Sequence, residues 1–310
     1  MITTPPLPAG RPTIRDALRN ASSELAAIGA AGEARHLVAG VLGTSAGRLH
    51  PLGDAPLDHG DASALGAALV RRLAGEPLAY VLGSVEFREI TLAVDPRVLI
   101  PRPETEYLVD LVVGLPVASD ARVLEVGVGS GAIALSLLHE GRFRRVVGTD
   151  VSAAALEVAR LNASALGLRG RLELRHGRTY APVAARERFD LVVSNPPYVA
   201  ASEREALPPE VREHEPAEAL FAGDGLDVIR ALIRGAPQIL ASGGWLALEI
   251  GATQGVEVRR ALREAGLQDA RVVTDLTGRD RIAIARAPVA AVSGSNRNEA
   301  EASSHEGEAR

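Results

Sequence analysis

Between residues 122 and 135 the apolar run RVLEV meets Gly127, Gly129 and Gly131 and passes straight into a second apolar run, AIAL. A strand that enters a helix through such a loop points to an open α/β sheet, because glycines permit the sharp turn and leave backbone bare for a ligand. The following sequence agrees. The apolar words VVGTD, DLVVS and WLALEI alternate with helix-period segments at 152–166, 225–240 and 254–265, the pattern of a doubly wound, largely parallel sheet. Further strands are expected near 171–174, 271–274 and 281–285, the last two joined at Thr277-Gly278 as an antiparallel pair at the sheet edge.

Ahead of the sheet, Ile14, Leu18, Leu25 and Ile28, then Leu65, Leu69 and Leu73, recur at helical spacing on either side of Gly/Pro-rich breaks at 43–56. Residues 12–75 are therefore expected to form a small helical domain. A β-hairpin linker follows over 76–98, carried by the alternation Ile90, Leu92, Val94, and the α/β domain covers 99–287. The first 11 residues read as flexible and the polar 288–310 tail as disordered. A chain of 310 residues, 46% hydrophobic, has material for two such bodies. Its net charge of -5 offers no broad basic surface, so no direct nucleic-acid binding is expected. With no cysteine there are no disulfides, thiolate metal sites or cysteine nucleophiles. No apolar run approaches the roughly 20 residues of a membrane span, and the expectation is a soluble, cytoplasmic protein.

About 20 residues beyond the glycine loop, Asp150 closes the next strand, where an acid can accept hydrogen bonds from both ribose hydroxyls of an adenosine. Ser152 is placed to cap the helix that follows. The loop alone is ambiguous, since Gly127, Gly129 and Ala132 also satisfy the dinucleotide fingerprint of dehydrogenases. Glu125 either faces a ligand amino group or ends its strand towards solvent.

Asn195-Pro196-Pro197-Tyr198 follows the apolar strand 190–194 directly, at the carboxyl edge where open sheets bind ligands. An amide nitrogen is a poor nucleophile, its lone pair being delocalised into the carbonyl, so such an acceptor must be held rather than deprotonated. The Asn195 side-chain oxygen and the Pro196 carbonyl can accept the two N–H groups of a carboxamide and aim its lone pair. Two prolines stiffen that geometry, and Tyr198 can lie against the planar amide. A proline turn with an incidental tyrosine is the plain alternative. Hydride transfer has no use for the motif.

Taken together, these words resemble one family, the release-factor glutamine methyltransferases of the PrmC/HemK type. The resemblance runs from 12 to 286 and rests on GEPLAYVLGSVEF at 75–87, LIPRPETE at 99–106, VLEVGVGSGAIAL at 123–135 and VSNPPYV at 193–199. It continues through EVREHEPAEALFAGDGLDVIR at 210–230 and GGWLALEIGATQ at 243–254. It implies a class I methyltransferase: a Rossmann-like, mostly parallel seven-stranded sheet with an antiparallel edge strand, plus the small N-terminal helical domain. It also implies that Gly127, Val128, Gly129, Ser130, Gly131, Asp150, Thr179 and Asn195 bind S-adenosylmethionine. Asn195, Pro196, Pro197 and Tyr198 would hold the glutamine of a Gly-Gly-Gln tripeptide in peptide chain release factors, with Asn195, Pro196 and Tyr198 catalytic. The helical domain would help to dock that protein.

Three positions depart from the family pattern. Gly177-Arg178-Thr179 replaces a turn that often carries an acid near the adenine, Arg88 stands where an aromatic usually follows Phe87, and Glu125 replaces the more usual aspartate. Two other features attract and lose attention. Glu213-His214-Glu215 lacks a second histidine at ligand spacing, so no metal is expected, and Glu215-Pro216 reads as shaping a substrate loop. Trp245 reads as packing at the start of its strand. The rival functions are an N6-adenine nucleic-acid methyltransferase, a non-catalytic S-adenosylmethionine-binding protein and a nicotinamide-dependent oxidoreductase.

Overall fold

The computed structural model describes residues 12–289. The expected flexible start, 1–11, and most of the expected tail, 290–310, lie outside the described residues. Helix α1 (Ile14–Ala26) opens with a reciprocal cap, in which the Thr13 hydroxyl accepts from the Asp16 N–H and the Asp16 carboxylate accepts from the Thr13 N–H. With α2 (Ala34–Val41) and α3 (His59–Leu73) it closes over Leu25, Leu37, Val38, Leu65 and Leu69. Ile28 is not part of that face; the helix ends before it and the side chain is 42% exposed.

A helix the sequence reading omits, α4 (Leu78–Leu82), occupies the start of the expected hairpin linker and puts Val81 into the same core. Pro77 starts it and Gly83, at φ 71°, stops it. The hairpin of β1 (Ser84–Phe87) and β2 (Ile90–Ala93) follows, with Phe87 and Leu92 buried against the main body. Helix α5 (Pro103–Val113) begins on a proline, whose fixed φ suits a first helical turn.

The sheet is then built in order: β3 (Val123–Val126), α6 (Ala132–His139), β4 (Val146–Asp150), α7 (Ala153–Ala165), β5 (Leu172–His176) and β6 (Phe189–Ser194). Short helices α8 (Pro209–His214) and α9 (Ala217–Leu220) lead to α10 (Asp227–Ile239), β7 (Leu240–Glu249), α11 (Gly255–Glu264), β8 (Gln268–Thr274) and β9 (Asp280–Arg286). The seven strands lie in the order β5-β4-β3-β6-β7-β9-β8, and β9 runs antiparallel to both its neighbours. The antiparallel strand thus stands one place in from the edge. Burial explains the swap: Ile282 to Ala285 are buried on both faces and suit an inner strand, whereas β8 alternates towards solvent and suits the rim.

Leu108, Ile133, Leu137 and Phe143 cover one face of the sheet, and Ile229, Leu232, Ile233 and Leu262 the other. Strand β3 pairs with β4 on one side and β6 on the other. The order of strands reverses at that point, so the carboxyl ends of β3, β4 and β6 diverge and leave a crevice.

Candidate active site

A cavity of about 430 Å³ fills that crevice, within the roughly 300–1,000 Å³ usual for small-molecule sites. Gly127, Val128, Gly129, Ser130, Asp150, Thr179 and Asn195 line it, together with Glu125, Thr105, Pro197 and Phe221. Gly131 is not on its wall. That glycine sits at the start of α6 with φ 89°, and a side chain there would press on Leu135 at 2.8 Å, so its work is to close the turn. Pro196 is buried, and neither it nor Tyr198 lines the cavity.

The glycine loop spends its own donors. Gly127 and Val128 N–H both donate to the Thr149 carbonyl, Gly131 N–H to Val128, and Gly129 N–H to the Asp150 carboxylate at 2.9 Å. The other Asp150 oxygen accepts from Ser152 N–H at 2.9 Å, and Ser152 in turn caps α7 by accepting from Ala155 N–H. Each carboxylate oxygen retains a lone pair for a ligand hydroxyl. Asn162, on α7, fixes the loop from behind by donating to the Ser130 carbonyl at 2.8 Å and to Ala93 on β2 at 3.0 Å.

Glu125 is 1% exposed and does not end its strand in solvent. Its carboxylate accepts from the Ala134 N–H at 2.8 Å, in the first turn of α6. Burial pushes its pKa well up, the bond from Ala134 opposes this, and the nearby Asp150 carboxyl pushes it further up. Asp150 is likewise raised by burial, against the bonds it accepts from backbone. Two carboxyls that disfavour each other's charge form a floor suited to a cationic ligand. They are ill suited to a pyrophosphate, because the N-terminus of α6, the usual anion seat, already holds a carboxyl group.

Asn195 closes the crevice from the β6 side. Its side-chain Nδ2 donates to Thr105 Oγ1 at 3.0 Å, and Thr105 Oγ1 donates to Glu249 Oε2 at 2.8 Å. The other Glu249 oxygen accepts from Tyr198 Oη at 3.2 Å. Gln254 pins the backbone of the motif by donating to the Tyr198 carbonyl at 3.0 Å and to that of Gly225 at 3.1 Å. Gly225, at φ 88°, passes so close that a side chain would lie 2.8 Å from the Tyr198 carbonyl oxygen.

Glu249, Gln254 and Asn162 carry no individual role in the sequence reading, and Thr105 enters it only within the LIPRPETE word. The signal for Glu249, as for Glu125, is a lone acid one place before the end of an apolar word, VLEV or WLALEI. From the LIPRPETE word, Pro101 and Thr105 both lie on the cavity wall. Glu213-His214-Glu215 does not act as a cluster: Glu215 is buried and accepts from Ile100 N–H and Arg102, while Glu213 pairs with Arg212. Among the described residues no group of three such side chains could hold a metal ion. Trp245 lies within β7 rather than at its start, packed between Arg271 and Arg286. Arg88 pairs with Glu140 and Asp110, outside the cavity. Arg178 and Thr179 do reach the cavity wall, Thr179 at φ 47°.

An antiparallel strand inserted before the last position, and a carboxyl floor under the loop, separate this molecule from all-parallel dinucleotide sheets. They define an S-adenosylmethionine-dependent methyltransferase. Comparison with known sequences narrows the class. Residues 16–83 match the model of the PrmC N-terminal domain and residues 108–209 that of the Methyltransferase small domain. The chain is 46% identical over 279 residues to the release factor glutamine methyltransferase of Cereibacter sphaeroides, covering 89% of this chain and 99% of that one. Its identity to the Vibrio cholerae release factor glutamine methyltransferase is 39% over 276 residues, 88% of this chain and 96% of the other. For the enzyme of the same name from Xylella fastidiosa strain Temecula1 it is 43% over 237 residues, 76% and 86% respectively. The chain belongs to the release factor glutamine methyltransferase family.

Proposed function

We propose that this protein transfers a methyl group from S-adenosylmethionine to the side-chain amide nitrogen of the Gly-Gly-Gln glutamine in peptide chain release factors. The observation that carries the reading is the position of Asn195, on the wall of the cavity that also holds Glu125, Asp150 and the glycine loop. S-adenosylmethionine held there would supply an electrophilic methyl on a sulfonium, whose sulfur would leave with the C–S electron pair as the substrate nitrogen bonds to the methyl carbon.

The residues present fit that cation. In this reading Asp150 accepts from the ribose hydroxyls, and Glu125 faces the positive end of the ligand across the floor. Val128, Gly129 and Ser130 pass backbone along it, and Thr179 flanks the adenine. Val151, 47% exposed and on the cavity wall, offers the adenine an apolar face, compensating for Arg178, which cannot accept from an exocyclic amine.

Asn195 Oδ1 and the Pro196 carbonyl accept the two amide N–H groups. Both dipoles are fixed before the reaction, by Thr105 and by the rigidity of Pro196-Pro197. They stabilise the positive charge that grows on nitrogen more than they stabilise the neutral substrate. Tyr198 stands off the cavity wall, donates to Glu249, and backs the motif rather than the amide itself. No general base is needed, because the methylated nitrogen is strongly acidic and loses its proton to water.

Arg72 on α3 pairs with Glu33 and, at 2.9 Å, with Glu210 on α8, tying the helical unit to the segment beside the cavity. That tie suits a docking body for a protein substrate. Among the described residues no helix is long and apolar enough to cross a membrane; a peptide chain release factor as substrate supports a cytoplasmic enzyme. The test is transfer of a radiolabelled methyl from S-adenosylmethionine, offered in parallel a recombinant release factor and an adenine-containing DNA. Labelling of the release factor alone is expected, and labelling of the DNA alone would overturn the assignment.

A further inference from the structure

We propose that Glu249 is a positioning residue which, through Thr105, fixes the Asn195 carboxamide with its oxygen towards the substrate, and which anchors Tyr198 with its other oxygen. The inference rests on the function proposed above and adds to it. Two side chains of the Asn-Pro-Pro-Tyr motif are tied to this one carboxylate, Tyr198 directly and Asn195 through Thr105; it is 1% exposed at the end of β7. Residues 105 and 249 come from α5 and β7, so sequence proximity does not explain the meeting.

Donor bookkeeping sets the direction. An ionised carboxylate only accepts, so both the Thr105 and the Tyr198 hydroxyl must donate to Glu249. Having donated its one proton, Thr105 Oγ1 can only accept from Asn195. The asparagine must therefore present its NH₂ to Thr105 and leave Oδ1 facing the cavity, which is the orientation a substrate amide requires. A protonated Glu249 removes the constraint. It can donate to Thr105, which then can donate to Asn195 Oδ1 and turn the NH₂ towards the substrate, donor against donor.

This orientation therefore depends on the charge of Glu249. Burial pushes its pKa up to about 7, the bonds from Thr105 and Tyr198 oppose this, Glu104 on α5 raises it further, and Arg281 on β9 lowers it. Arg281 is itself engaged by Asp275 at 3.0 Å. The competent, ionised form is present above that range and lost as pH falls through it.

The experiment uses Thr105→Val, Thr105→Ser and Glu249→Gln in the full chain. Methylation of a release factor is followed in single turnovers from about two units below to two units above neutrality. Thr105→Val should lower the rate about 10- to 100-fold with cofactor affinity, read by calorimetry, changed less than about threefold. Thr105→Ser, which keeps the hydroxyl, should recover most of the loss. Wild-type rates should decline on the acid side of about pH 7, and Glu249→Gln should be slower and lack that decline. A second readout needs no substrate: the Asn195 side-chain NH₂ signal in ¹⁵N NMR, assigned with Asn195→Ala, should move with pH in wild type and stay fixed in Glu249→Gln. Thr105→Val as fast as wild type, Thr105→Ser as slow as Thr105→Val, or an NH₂ signal that titrates equally in both proteins would overturn the inference. Failure of wild type to methylate the release factor would sink the proposed function instead, leaving the NMR result to judge the relay.

Discussion

Replacing Asn195 by alanine removes one of the two acceptors assigned to the substrate amide and leaves the other, the Pro196 carbonyl, in place. Loss of a single preorganised group facing developing charge costs about 100- to 1,000-fold in rate, or about 2.7–4 kcal/mol. The collateral damage is small. Thr105 loses its bond from Asn195 but still donates to Glu249, so no buried donor is stranded and folding stability should drop by about 1 kcal/mol or less. The cofactor floor, Glu125 with Ala134 and Asp150 with Gly129 and Ser152, does not touch the deleted group. Single-turnover methylation with both substrates saturating, set beside calorimetry for S-adenosylmethionine, separates the two effects. A rate within threefold of wild type would refute the reasoning, as would a rate loss matched by an equal loss of cofactor affinity.

Three further outcomes follow from the same geometry. Asp150→Ala should weaken S-adenosylmethionine binding about 10- to 100-fold by calorimetry, since charge-assisted hydrogen bonds contribute about 1.5–3 kcal/mol each. Gly131→Ala forces a side chain into a left-handed conformation and against Leu135, and should cost about 1–2 kcal/mol in denaturant unfolding. Glu249 should trade stability for function. Its folded pKa, pushed up to about 7, lies above the ordinary glutamate value of 4.5, so the folded state holds the proton more tightly and this group's contribution is intact below the unfolded value and lost as pH rises through about 7. Glu249→Gln should accordingly melt higher than wild type on the alkaline side while methylating more slowly.

The strands and turns that carry the candidate site were legible in contiguous words, but of the Asn195–Tyr198 motif only Asn195 and Pro197 reach the cavity wall. The glycine loop, Asp150 and the Asn195–Tyr198 motif each follow an apolar strand, and a strand end in an open sheet has only one crevice to face. What escaped was whatever depends on strands meeting across the sheet. Glu249 and Thr105 lie 144 positions apart in the chain, and only the packing of α5 against the end of β7 brings them together. The inward place of β9 is also a tertiary outcome, since a hairpin fixes which strands pair but not which of them pairs onward. Helix α4 spans five residues, too few for a 3.6-residue period to register. Gly131 has another cause: its spacing is that of a ligand-loop glycine, but its backbone angle is what the helix start requires.

Most direct of all is to locate the methyl group. After reaction of wild-type enzyme, S-adenosylmethionine and a release factor, fragmentation mass spectrometry of the Gly-Gly-Gln peptide should find one methyl, on the glutamine side-chain nitrogen, and none with Asn195→Ala at the same time point. A methyl on any other residue, or an unmodified glutamine after complete cofactor turnover, would contradict a site built to hold a neutral carboxamide.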